Sequence, residues 1–193
     1  MKIFPYLLAI YIAEFSLFAI DPVWGRWNWF SENLPIVIIV LALVLTYKKF
    51  KFSNLSYIFM FVLIYLHTIG WYYSFANVPF DFITNTFWFE RNHFDRLAHF
   101  SVWFYAFPFA EILSRVHKIK SKFILFFFPL SIIIAIAGIY EIIEWIYAVQ
   151  AWWEAWIAFL WSQWDIWDAQ KDMLADSLWA LLSLAVWFGV RKK

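Results

Sequence analysis

The sequence predicts an all-α bundle of about six membrane-spanning helices within a single integral membrane domain, residues 1–193. Three observations predict it. The chain is 65% hydrophobic and only 15% charged, whereas a soluble domain is about half apolar and a quarter charged. Its apolar runs are long enough to cross a hydrocarbon core of about 30 Å, which takes about 20 helical residues. Its basic residues are segregated into alternate loops, as a multi-pass topology requires.

The first span is read over Phe4–Ile20. No small-residue cleavage site follows it, and Asp21-Pro22-Val23-Trp24 reads as a helix exit, so it is kept as a span rather than a signal peptide. The second covers Leu34–Tyr47, with Pro35 in the first turn, where proline is tolerated. The third covers Leu55–Tyr73 and contains His67. A loop with turn formers Asn77, Pro79 and Asp81 leads to the fourth, Asp95–Leu113. The fifth, Phe123–Val149, carries Pro129 as an expected kink, and the sixth covers Ala169–Val190. Between them, residues 151–167 are rich in tryptophan. Tryptophan favours the headgroup boundary, so this stretch is expected to lie in the outer interface before the last helix.

Orientation follows from charge. Lys2, Lys48, Lys49, Lys51, Arg115, Lys118, Lys120, Lys122, Arg191, Lys192 and Lys193 fall on one side, eleven of the 15 basic residues. The positive-inside rule puts that side, and both termini, in the cytoplasm. All acids except Glu14 and Glu111 fall at or near the other face. With no cysteine, thiolate metal sites, disulfides and a cysteine nucleophile are excluded. A net charge of +1 names no partner by bulk charge, and no nucleic-acid partner is expected.

The cytoplasmic lysines and arginines serve as a depth ruler at about 1.5 Å per helical residue. His67 lies roughly 24 Å beyond Lys51, and His99 roughly 24 Å before Arg115. Glu141 lies roughly 28 Å beyond Lys122, and Asp172 roughly 28 Å before Arg191. Asp176 lies roughly 22 Å before Arg191, in the same layer. Glu14 sits lower, roughly 18 Å from Lys2. Ionisable groups on four spans thus share one layer near the outer edge of the core. Such groups are costly in a membrane and mark sites or buried pairs.

The densest stretch is Arg91-Asn92-His93-Phe94-Asp95-Arg96-Leu97-Ala98-His99-Phe100, at the mouth of the fourth span. Asp95 and His99 are four apart and share a helix face. Asp168, Asp172 and Asp176 form an acidic stripe, and Glu141 and Glu144 are three apart. Imidazole and carboxylate without thiol suit Zn, Mn, Fe or Mg. The expected metal ligands are His67, His99, Glu141, Asp168 and Asp172. Asp95, His99 and Glu144 are the candidate acid–base groups, with Asp95 orienting His99. Arg91, Arg96 and Lys171 would hold an anionic lipid headgroup or phosphate. Two readings stand beside this one: buried ion pairs that only set helix register, and a small proton-coupled transporter. Binding and catalysis both remain open.

At these residues the chain resembles the YjdF-like family of bacterial inner-membrane proteins. The resemblance rests on Lys51-Phe52-Ser53-Asn54-Leu55-Ser56-Tyr57, Leu66-His67-Thr68-Ile69-Gly70, the Arg91–Phe100 stretch, Tyr140-Glu141-Ile142-Ile143-Glu144-Trp145 and Trp167-Asp168-Ala169-Gln170-Lys171-Asp172-Met173. It implies a multi-span inner-membrane protein and no assigned activity. Asp95, Arg96, His99 and Phe100, then Glu141, then Asp172 and Asp176, also look like the pattern of VanZ-like membrane proteins, which implies a role in the cell envelope by analogy.

Overall fold

The computed structural model describes residues 3–23, 25–150 and 167–191, with Glu144, residues 147–150 and Asp168 described by backbone alone. Among the described residues the regular structure is entirely helical: α1 Phe4–Phe18, α2 Arg26–Glu32, α3 Leu34–Thr46, α4 Asn54–Tyr73, α5 Asp81–Thr86, α6 Phe94–Val102, α7 Ala106–Arg115, α8 Lys122–Gln150 and α9 Asp168–Arg191. Short 3-10 turns cover Phe75–Asn77 and Trp103–Tyr105. Three helices, α4, α8 and α9, are long and apolar enough to cross a membrane. A fourth span is added if α2 and α3, bent by 50° at their junction, count as one. The expected interfacial segment at 151–167 lies, apart from Trp167, outside the described residues.

The chain divides into two compact units, Met1–Ser101 and Val102–Lys193. In the first, α1 packs along α4. Phe4, buried at the start of α1, stacks on Tyr47 and meets Tyr57 at a tilt, at 4.6 and 4.8 Å between ring centroids. Farther along, the Tyr65 hydroxyl donates to the Leu7 carbonyl at 2.8 Å. The apolar faces left outward, including Ile10, Leu17, Ile38 and Leu45, suit lipid rather than water as the solvent.

Local chemistry sets the ends of these helices. Gly25, at φ 84°, turns the chain into α2, a conformation cheap for glycine alone. Arg26 donates from Nε and Nη2 to the Ile20 carbonyl at 3.0 and 2.7 Å, satisfying a carbonyl just past the end of α1. At the α2–α3 bend, Asn33 donates from Nδ2 back to the Trp29 carbonyl at 2.8 Å. Ser53 caps α4, its hydroxyl accepting from the Ser56 N–H at 3.2 Å. Gly70 lies against the Phe75 ring so closely that a Cβ there would overlap it.

In the second unit α9 packs on α8, on α7 and on the 3-10 turn before α7. Ala106, Ala110 and Ala180 are fully buried, so the backbones approach closely. Trp103 stacks on Trp179 at 5.8 Å and the Ser183 hydroxyl donates to the Phe104 carbonyl. The fourth expected span is thus not one smooth helix; the Trp103–Tyr105 turn joins α6 to α7. Pro129 is buried inside α8, which is assigned unbroken from Lys122 to Gln150. Near the expected cytoplasmic end, buried Glu111 pairs with Arg115 one turn on.

Candidate functional site

The dense stretch at the mouth of α6 is fixed by one amide. Asn92 donates from Nδ2 to the carbonyls of Ala76 and Val78 at 3.1 and 2.8 Å. Its Oδ1 accepts from the Phe94 N–H at 2.9 Å, covering an orphan donor in the first turn of α6. Phe94, buried at that turn, packs on Phe75 and Phe80. Side chain and backbone therefore hold the start of α6 against the loop that follows α4.

That anchoring presents Asp95 and His99 on one face. Asp95 Oδ1 lies 3.8 Å from His99 Nε2, both side chains mostly buried. The distance is that of an electrostatic contact rather than a short hydrogen bond. Arg96 Nη1 lies 3.3 Å from His93 Nδ1, and the His93 ring meets Phe89 edge-on. Arg91 and Arg96 are half-buried at the same helix entrance.

His67 sits farther along the first unit. Its Nε2 lies 3.1 Å from the Glu32 carbonyl. A carbonyl only accepts, so Nε2 carries the proton and Nδ1 is the ring's acceptor. Glu32 ends α2, so His67 satisfies a carbonyl released by the bend. The His67 and His99 rings lie within electrostatic reach of each other.

In the second unit Asp172 and Asp176, one turn apart on α9, are 3% and 1% exposed. A carboxylate buried to that degree must be ion-paired, protonated or bound to metal. Lys171 beside them is exposed, and Glu141 is half-buried on α8. The side chains of Glu144 and Asp168, expected as an acid–base group and a ligand, lie outside the described residues.

Two residues that fix this region gave little signal in the sequence. Asn92 reads as one polar residue among several, and its loop partners lie 14 and 16 positions away. Asn33 reads as a loop residue, yet it is fully buried at the bend.

The family described as "Predicted membrane protein (DUF2238)" matches residues 3–193. The protein described as "Inner membrane protein YjdF" of Escherichia coli (strain K12) is 31% identical over 159 residues, 81% of this chain and 76% of that protein. No solved structure matches.

Proposed function

Because the chain belongs to the DUF2238 family of predicted membrane proteins, we propose that it is an inner-membrane protein with both termini cytoplasmic and a polar, metal-binding layer near the outer face. The layer binds or acts on an envelope lipid, through a phosphorylated or otherwise anionic headgroup. His67 and His99 supply nitrogen ligands, and Glu141, Asp168 and Asp172 supply oxygen. Asp95 orients His99, Glu144 serves as an acid–base group, and Arg91, Arg96 and Lys171 hold the anion. For hydrolysis, a metal-activated water is the nucleophile.

The observation that carries this reading is the Asp95–His99 arrangement. Carboxylate beside imidazole is the pairing that steers a metal-ligating histidine. The burial of Asp172 adds support, since divalent cations are one of few partners able to stabilise such a carboxylate. The depth ruler, which puts these groups in a common layer, is a sequence argument independent of both.

Elemental analysis of detergent-purified protein tests the proposal, with His99→Ala and Asp172→Asn beside the parent chain. Stoichiometric metal in the parent, lost from both folded variants, is the expected result and licenses a lipid-hydrolase screen. A parent protein without metal after incubation with Zn, Mn, Fe and Mg would sink the metal reading. A second reading, in which buried ion pairs in the layer only set helix register, draws on the burial of Asp172 and Asp176. It predicts no metal and tolerance of charge-conserving swaps.

A further inference from the structure

The interior of the first unit holds polar groups that none of the roles above uses. On α1, Tyr11 is buried and its hydroxyl has no hydrogen-bond partner among the described residues; the same holds for Glu14 Oε2. At the α2–α3 bend, Trp29 Nε1 and Asn33 Oδ1 are in the same condition, on side chains 2% and 0% exposed. Tyr11, Glu14 and Phe15 share one face of α1, being three and four apart. The Phe15 ring lies 5.5 Å from Tyr11 and 4.6 Å from Trp29, so that face meets the bend. Glu14 lies within electrostatic reach of Tyr11 and of Tyr65 on α4.

Orphaned polar atoms in an apolar membrane interior are expensive, and four in one unit call for a guest. The set contains a carboxylate and an amide carbonyl, which attract positive charge. It also contains an indole N–H and a phenol, which hold water. Among the described residues no basic side chain pairs with Glu14. The titratable and charged groups facing it from the surrounding helices include Tyr65, which donates to the Leu7 carbonyl, His67, engaged with the Glu32 carbonyl, Glu32 itself, and Arg26 at the start of α2, whose guanidinium is taken up by the Ile20 carbonyl. A bent helix whose break lies in the protein interior is also where membrane proteins place small ions.

We propose that Glu14, Tyr11, Trp29 and Asn33 form an internal binding site for a monovalent cation, held with water at the α2–α3 bend. The cation is a proton or an alkali metal ion; either neutralises one carboxylate. This site is separate from the proposed metal layer and stands if that layer proves purely structural.

Dicyclohexylcarbodiimide, which modifies protonated carboxyls in apolar surroundings, tests it on the full chain in liposomes. Modification of Glu14 is read by peptide mass spectrometry across pH, with NaCl or choline chloride. Tyr11→Phe removes only the hydroxyl and keeps the ring packing; Trp29→Phe removes the indole N–H together with part of the ring. Protection by Na⁺ but not choline identifies an alkali ion; dependence on pH alone identifies a proton. In either case each variant shifts the concentration at half-modification about tenfold, the size expected for losing one hydrogen bond to a charged cluster. An empty pocket behaves otherwise: both variants leave that midpoint in place, and Tyr11→Phe raises thermal stability by removing an unsatisfied hydroxyl. That result, or a Glu14 unreactive at every pH, would overturn the proposal.

Discussion

Asn92 donates to the Val78 carbonyl at 2.8 Å across 14 residues of chain, and through it the mouth of α6 is tied to the loop after α4. The same side chain bonds the Ala76 carbonyl and accepts from the Phe94 N–H. Asn92→Ala removes all three bonds, and leaving partners unsatisfied costs about 1–3 kcal/mol. Thermal unfolding in detergent, followed by fluorescence size exclusion, is expected to show that loss. Because Asp95 and His99 depend on this anchor for position, the proposed metal layer predicts that any bound metal is lost with it.

His67 has two separable tasks. Its Nε2–H satisfies the Glu32 carbonyl, and Nδ1 is the atom available in this tautomer to accept or ligate. His67→Gln retains an N–H donor and is expected to cost less than a substitution without one. His67→Leu leaves the carbonyl unsatisfied and loses about 1–3 kcal/mol. Metal lost from the glutamine variant at unchanged stability would mark His67 as a ligand; metal retained there removes it from the ligand set.

Gly70 and Phe75 occupy space that only one side chain fills. Gly70→Ala is expected to destabilise by about 1–3 kcal/mol, as overpacking does. Phe75 is boxed in by His67, Trp71 and Phe94 and has little room to withdraw. Adding Phe75→Leu to Gly70→Ala is expected to recover part of the loss. Purely additive effects in that double-mutant cycle would show that the two residues do not compete.

Arg115 is about half exposed while its partner Glu111 is 5% exposed. Arg115→Met strands a buried carboxylate, for an expected loss of about 1–3 kcal/mol, reduced from a fully buried pair because solvent already screens the arginine. Glu111→Gln is expected to cost less, since no buried charge is left behind. Paired melting curves of the two variants check the order.

Topology is open to direct chemical mapping because the chain has no cysteine of its own. Single cysteines at Lys49 and Lys120 are expected to resist a membrane-impermeant maleimide in intact cells and to react after lysis. Cysteines at the exposed positions Phe82 and Trp88 are expected to react from outside. Reversed labelling would invert the orientation and move the proposed metal layer to the cytoplasmic side.

Hydropathy and turn chemistry made several helix limits readable to within a few residues. The reading Leu55–Tyr73 corresponds to α4 at Asn54–Tyr73, and Ala169–Val190 to α9 at Asp168–Arg191. Breaks inside apolar stretches were harder to see. The Trp103–Tyr105 turn has no glycine, and its flanks are as apolar as any helix interior. The α2–α3 bend depends on where the Asn33 side chain goes, and a polar residue before an apolar run reads equally well as a loop. The Asp95–His99 face was legible because four-residue spacing is local. Asn92's grip on Ala76 and Val78 was not, since it is made across a folded loop.

The length of α1 has a consequence for the surrounding lipid. Its 15 residues rise only about 22 Å, against a hydrocarbon core of about 30 Å. The helix is shorter than the three helices long enough to cross, so if α1 does cross, the two leaflets must draw together beside it. The annulus around α1 would then be dimpled, with headgroups closer to the midplane than in the bulk. Shorter acyl chains would relieve that mismatch, so the protein should partition toward thinner regions of a mixed membrane and draw short-chain lipid to its first helix.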